Sequence, residues 1–435
     1  MSLLDFFIDP LYRAPILGSM LMCLASALMG TLMFVKKRSL LGEALSHAAY
    51  PGVMLSIAVG ALFLAPSNAF SILIVLGGAF LFSYIGLEAI EKLRNHLKID
   101  LDSALCLILS IFLGIGVVFA SRLQFSYPLW YQQAQVFIYG QSVTMTDIHI
   151  MIYGTLSLLV IVFIIFRFRE IELVLFDCLY GQSNGMNIDR VMKGIFFLLI
   201  LSIVIGIRSV GVILMSGMLV APAAAARSFT NRLSTMLILS GVFGLLSAFF
   251  GNILSIKLSA YGLIFPTGPM ILLVGVTFSL ASLIFAPEKG ILTRILRSIR
   301  FRQKCQLENI LKTLWKEEIP LTQEGILKWN ALGRLPLKRS LFTLKREGWI
   351  ERNKEGKIFL TRDGVKRAAR LVRLHRLWEL YLVSHLKVDE ERVHHSAEEM
   401  EHIITPDLEK RLSALLNHPQ TDPHQKPIPQ GDVSC

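Results

Sequence analysis

His375 and Glu379 stand four residues apart, which on a helix places an imidazole and a carboxylate one turn apart on the same side. His394, Glu398, Glu401 and His402 follow at i, i+4, i+7 and i+8, again one helical face. Imidazole and carboxylate donors without a thiolate suit Mn2+, Fe2+ or Zn2+ better than copper(I). A solvated Glu/His-rich face is the plain alternative for either helix alone, and two such faces in consecutive helices favour a shared metal site. Seven of the ten histidines lie beyond residue 374. The five cysteines show no CxxC spacing, so neither a disulfide framework nor a thiolate zinc site is expected.

A second candidate lies far upstream, in Gly42-Glu43-Ala44-Leu45-Ser46-His47-Ala48-Ala49-Tyr50-Pro51-Gly52. Glu43 and His47 share a helix face inside an apolar run, where ionisable groups are costly and face a cavity or a partner. As a pair they suit a divalent cation in transit, and a hydrogen-bonded contact between helices is the alternative. Pro51-Gly52 and, later, Pro222 within an Ala-rich run are expected to break two helices at a translocation path.

A third set is basic. Residues 305–376 carry 17 Lys+Arg against 8 Asp+Glu. Leu307–Trp315 reads as a helix, Thr322 caps a second through Trp329, and Pro336 opens a third that ends at Gly348. Trp349–Arg352 and Lys357–Thr361 flank a short turn as a hairpin. This order is that of a winged helix-turn-helix, with Lys338, Arg339, Thr343 and Arg346 on the third helix and Lys354 and Lys357 on the wing. The positive excess supplies the phosphate attraction that DNA binding needs. A protein-interaction role for the same fold stays open.

The elements that must hold these groups are of two kinds. The chain has 435 residues, 53% of them hydrophobic, a mean hydropathy of +0.56 and a net charge of +12. The apolar excess sits in residues 1–286, where runs at about 15–35, 44–64, 69–88, 103–120, 145–166, 191–207, 209–226, 233–256 and 268–286 are long enough to cross ~30 Å of hydrocarbon. The fold expected is therefore an all-α polytopic membrane domain of about nine helices, followed by a winged helix-turn-helix and a helical metal-binding and dimerisation domain. Basic residues divide 18 to 4 between the two sets of loops, which puts the N-terminus outside and the C-terminal part in the cytoplasm. Tyr127, Trp130 and Tyr131 are expected at the outer interface. No GxxxxGK[ST] phosphate loop occurs, so this chain is expected to bind no nucleotide and to be a transport subunit rather than an enzyme, with ATP hydrolysed by a separate protein.

Gly-Glu-x-x-Ser-His-x-x-x-Pro-Gly at 42–52, and Val210-Gly211-Val212 through Met218 to Arg227, resemble the signatures of ABC-3 permeases, the membrane subunits of zinc, manganese and iron importers. The resemblance implies a cytoplasmic ABC ATPase, an extracytoplasmic metal-binding protein and a second permease subunit as partners. It places Glu43, Ser46, His47, Pro51 and Pro222 along the transport path, and Phe176, Asp177, Gly181 and Gly185 in the helix that docks on the ATPase. Leu360-Thr361-x-x-Gly364, His375-Arg376-Leu377-x-Glu379, Val393-His394, Glu398-x-x-Glu401-His402 and Pro427-Ile428-Pro429 resemble the diphtheria-toxin-repressor family. That likeness implies a homodimer on a DNA operator, with His375, Glu379, His394, Glu398, Glu401 and His402 as metal ligands and Asn309 at a further ligand position of the first helix. Together the two parts resemble the permease–repressor fusions of chlamydial iron and manganese uptake.

The expected domains are a permease at 1–286, a basic linker at 287–305, the winged helix at 306–361, metal-sensing helices at 362–430 and a tail at 431–435. The reading is an importer of Fe2+ or Mn2+, with Zn2+ also compatible, whose C-terminal part uses the same ion as co-repressor. A tail that gates the permease without touching DNA is the alternative. A repressor tethered to a membrane searches little DNA, so a cut between Pro287 and Glu308 that releases a soluble C-terminal fragment is also expected.

Overall fold

The computed structural model describes residues 9–63, 69–140, 145–263, 265–317, 319–329, 333–389 and 392–430. The expected tail at 431–435 and the turn residues 330–332 lie outside the described residues. The chain divides into two compact units, Met1–Thr293 and Arg294–Cys435.

Among the described residues, the elements of the first unit are all helices: α1 Pro10–Val35, α2 Leu40–Phe63, α3 Ala69–Asn95, α4 Leu101–Ser126, α5 Pro128–Tyr139, α6 Asp147–Phe166, α7 Phe168–Phe176, α8 Cys178–Ser183, α9 Ile188–Val210, α10 Val212–Phe229, α11 Leu233–Ala260 and α12 Thr267–Phe285. Among the described residues, eight of these helices are long and apolar enough to span a bilayer, and α10 is a shorter ninth apolar helix. α1 packs on α6, α10 and α11, and α2 packs on α3 and α4.

Three details differ from the sequence expectation. α2 and α10 run unbroken through Pro51 and Pro222. Each proline forfeits one backbone bond, but burial on neighbouring helices holds the flanking turns in place. The break falls instead at Gly211, whose φ of +95° is open to glycine and ends α9 one residue before α10 begins. Trp130 is buried within the unit on α5, a helix absent from the sequence reading, while Tyr127 just before that helix is exposed. Close approach explains one glycine: a Cβ on Gly30 would stand 2.0 Å from the Leu219 carbonyl oxygen, so α1 and α10 meet backbone to backbone only because the side chain is missing.

The second unit starts within α13, Ile291–Glu317, and continues through α14 Gln323–Trp329, α15 Arg334–Arg346, β1 Ile350–Arg352, β2 Ile358–Leu360, α16 Arg362–Leu386, α17 Val393–Met400 and α18 Pro406–Leu415. The stretch read as a linker is therefore mostly helix. Its basic residues alternate with Ile291, Leu292, Ile295, Leu296 and Ile299 at helical spacing, and nothing interrupts the period before Leu307. The strands pair antiparallel, Ile350 with Leu360 and Arg352 with Ile358, and Leu321 adds an isolated bridge to Ile358. Ile310, Leu311, Leu314, Ile326, Leu337, Leu341, Leu344, Ile350 and Ile358 form one core under this winged-helix arrangement. Thr361 caps α16 by accepting from Gly364 N at 3.1 Å, and Lys387, with φ +52°, ends it. A smaller cluster of Leu377, Leu412 and Ile428 ties α16 to α18 and the chain beyond it.

Candidate metal centre

α16 carries His375 and Glu379 one turn apart, and both are buried. α17, Val393–Met400, presents His394 to them. His375 Nε2 lies 3.1 Å from Glu379 Oε1 and 3.0 Å from His394 Nδ1, and His394 Nδ1 lies 2.9 Å from the same Glu379 oxygen. Three donor atoms at such separations match neighbouring corners around one divalent ion with bonds of roughly 2.1 Å. Glu398, half exposed, stands 3.6 Å from His394 Nε2 at the open side. The donor set, two imidazoles and a carboxylate, fits a first-row divalent metal.

Behind His375 the surroundings change. Its Nδ1 donates to Glu401 Oε2 at 2.6 Å, which fixes the tautomer and leaves Nε2 free to face the other two donors. Lys312 Nζ donates to both Glu401 oxygens, at 2.9 and 2.7 Å, and its side chain is 8% exposed. His402 Nδ1 lies 2.8 Å from Glu308 Oε2, and Arg367 donates to Glu308 Oε1 at 3.0 Å. Glu401 and His402 sit in the turn after α17 rather than on it.

The electrostatics follow from this packing. Burial pushes the Glu379 carboxyl up, but hydrogen bonds from His375 and His394 outweigh it and bring its pKa down to about 2. Burial likewise opposes charge on His375, yet bonds to Glu379 and Glu401 hold its pKa above the ordinary histidine value. Glu401 is lowered: burial works against its charge, and His375 and Lys312 overcome that.

Asn309 is not part of the cluster. It is exposed on α13, while Glu308 and Lys312, on the adjoining face of the same helix, point into the site. The sequence reading missed both residues. The available signal was two opposite charges four residues apart on the face that also carries Leu311 and Trp315.

The other candidate residues lie in separate places. Lys338, Arg339 and Arg346 are exposed on α15 and Thr343 is half-buried there, with Lys354 and Lys357 exposed on the turn between β1 and β2. In the membrane unit, Ser46 is buried and donates to the Gly42 carbonyl at 2.7 Å, and Glu43 and His47 are half-buried on the same face of α2. Among the described residues, His47 Nδ1 is a buried nitrogen without a hydrogen-bond partner. Asp177 caps α8 by accepting from Tyr180 N at 3.0 Å. Phe176, Leu179 and Tyr180 are exposed beside it, Gly181 is buried against Ile188, and Gly185 ends the turn at φ +73°.

Residues 9–286, the whole set of apolar helices, match the ABC 3 transport family. The chain belongs to that family. Residues 361–430 of this ABC 3 chain match a second description, "Iron dependent repressor, metal binding and dimerisation domain", and that stretch holds all six His and Glu candidates. A Chlamydia trachomatis protein named "Probable metal transport system membrane protein" is 34% identical over 98% of this chain and 97% of its own length. The "Manganese transport system membrane protein MntC" of Bacillus subtilis is 29% identical over 85% of this chain and 84% of its own. Among solved structures, PsaBC from Streptococcus pneumoniae in complex with Fab superposes with a TM-score of 0.57, at 24% identity, over 68% of this chain and 97% of that one, which shows the permease fold. The protein is thus a multi-pass ABC 3 permease carrying a repressor-type metal-binding domain.

Proposed function

We propose that this chain is the membrane subunit of an ATP-driven importer of Mn2+ or Fe2+, with Zn2+ compatible with the same donors, and that its second unit is a repressor using the imported ion as co-repressor. The observation that carries the reading is the His375–Glu379–His394 triangle, a built divalent site in the same chain as an ABC 3 permease. Manganese is favoured by the name of the Bacillus subtilis relative, and the thiolate-free donor set is compatible with it. When bound, the ion supplies a positive charge that draws α16 and α17 together. His375, Glu379 and His394 hold it, and Glu398 closes the open side.

The exposed apolar side chains of Phe176, Leu179 and Tyr180, displayed by a short helix in a polar loop, suit docking to a cytoplasmic ATPase. Asp177 and Gly181 set that helix, and Gly185 turns the chain back. On the transport path, Glu43 and His47 offer passing donors, Ser46 satisfies a backbone carbonyl, and Pro51 and Pro222 each leave one unbonded. An extracytoplasmic metal-binding protein delivers the ion, and a second permease subunit completes the pathway. The imbalance of basic loops places the second unit in the cytoplasm. There it pairs as a homodimer and meets its operator through Lys338, Arg339, Thr343, Arg346, Lys354 and Lys357.

Release of the repressor follows from the tether. Within 287–308 the backbone outside helix is Pro287–Gly290, where Pro287, Glu288 and Lys289 are exposed. Proteases act on extended, accessible chain, so this turn is the expected cut. The test has two arms. Residues 294–435, which contain their own core, are titrated with Mn2+ and Fe2+ in a DNA-binding assay, and metal-dependent retention of an operator fragment is expected. Cells grown with and without metal are fractionated with an antibody to the second unit, and a soluble fragment is expected. Full-length membrane-bound protein alone, with no metal-dependent DNA binding, would favour a tail that gates the permease directly.

A further inference from the structure

We propose that Lys312 is a built-in cation that fills the Glu401–His402 half of the cluster, so that the second unit senses metal with one exchangeable ion, held at His375, Glu379 and His394. This rests on the reading of that unit as a metal sensor and says how many ions it takes.

The buried charges fall into two groups. Among the described residues, the polar partners of Glu379 are imidazoles, and their nitrogens converge with its oxygen. Around Glu401 the neighbours include a buried ammonium that spans both carboxylate oxygens. A carboxylate has about four lone-pair sites, and Lys312 and the His375 Nδ1–H together take three of those on Glu401. The adjacent carboxylate, Glu308, is occupied as well, by Arg367 and His402. An ion bound to Glu401 would share its oxygens with an ammonium, and like charges at that separation repel strongly in a dry site. The lysine cannot easily withdraw. Its helix is anchored by Ile310, Leu311 and Leu314, core residues of the winged helix, and a buried ammonium without its counter-ion is expensive.

Lys312 and Glu401 therefore act as positioning residues. Glu401 fixes the tautomer of His375, and Lys312 fixes Glu401. The same pair links the metal-binding imidazole of α16 to α13, a helix of the DNA-binding core. A change at the ion thus reaches the winged helix through the bonds from His375 to Glu401 to Lys312.

The experiment uses the full chain in detergent and Mn2+ as the probe. Bound metal is counted by equilibrium dialysis with elemental analysis, and paired ions are sought by electron paramagnetic resonance. Subtracting the count for an E379A/H394A variant removes ions held in the membrane unit. The wild type is expected to exceed that variant by one ion, with an isolated-ion spectrum. K312Q, which frees Glu401, is expected to bind one ion more than wild type and to show exchange-coupled Mn2+. It should also unfold at lower temperature without metal and recover with it. K312R keeps the charge and is expected to bind as wild type does. A wild-type excess of two ions, coupled Mn2+ in wild type or K312R, or a K312Q that binds no extra ion would each overturn the single-ion proposal. A wild type that binds no more than E379A/H394A would instead remove the metal-sensor reading itself. If K312Q does not fold, the wild-type and K312R counts still decide.

Discussion

The two units bury polar groups in opposite ways. In the membrane unit they are small and neutral: Thr31 donates to Ala27 O at 2.7 Å with its Oγ1 also 2.7 Å from Ser240 Oγ, and Asn252 donates to Ser19 Oγ and Ala248 O, each at 2.7 Å. Hydroxyls and amides bonded to nearby carbonyls glue helices together at little desolvation cost. The second unit instead concentrates Glu308, Lys312, His375, Glu379, Glu401 and His402 in one buried knot. Buried charge survives only if it is paired or coordinates metal. The contrast teaches where to look for a switch. Neutral networks fix a shape, whereas a charged knot is a balance that one added ion can tip.

The largest effect expected from upsetting that balance is at the donors. E379A/H394A removes two of the three converging atoms, so Mn2+ affinity should fall by more than the ~100-fold typical of losing a supporting partner, and metal-dependent DNA binding should vanish. Calorimetry with Mn2+ and operator retention measure both. Retained metal response in the double variant would move the sensor away from α16 and α17. In the membrane unit the matching test is Asp177→Lys, which removes the cap of α8 without touching a span. Uptake by the complex reconstituted with its ATPase should fall to background while ATP hydrolysis persists. Normal coupled uptake would show that α8 is not the docking element.

Much of this was legible in the sequence because both units are ruled by helical periodicity. The apolar runs lengthen into spans, and His375/Glu379 at i,i+4 meet as their spacing says. What escaped was pairing between distant segments. Lys312 and Glu401 are 89 residues apart and carry no local signal of each other. Choosing Asn309 over Glu308 is an error of one residue, but on a helix one residue is a rotation of ~100°, enough to turn a side chain from the knot to solvent. Pro51 and Pro222 misled for the converse reason: tertiary burial overrides a local breaker in a packed span.

A moderate effect is expected at the surface of α15. Lys338, Arg339 and Arg346 are exposed. Replacing all three with Ala should leave the fold and Mn2+ binding intact. It should weaken operator binding and lower the salt slope by roughly 0.9 per lost phosphate contact. An unchanged slope in a salt titration would mean that α15 meets a protein rather than DNA, and the comparison between a shape-fixing unit and a signalling unit would lose its DNA arm.

The smallest expected effect is graded and concerns protons. Metal binds through the neutral His375 imidazole, so protons compete for Nε2. Its two carboxylate partners hold the pKa of His375 above the ordinary ~6.5, so the competition starts at higher pH than for a free histidine. Glu379, at about 2, stays ionised throughout and adds nothing to the pH dependence in the neutral range. Mn2+ affinity should therefore be level at alkaline pH and decline as pH falls through the raised His375 value, by at most about tenfold per pH unit for each proton displaced. Glu401→Gln separates this from a general acid effect. It removes one of the two carboxylates that raise His375, so the onset of the decline should shift to lower pH. Calorimetric titrations of both proteins across the neutral range give the two curves. Coincident curves would mean that Glu401 does not act through His375, and the charged knot would reduce to three independent donors.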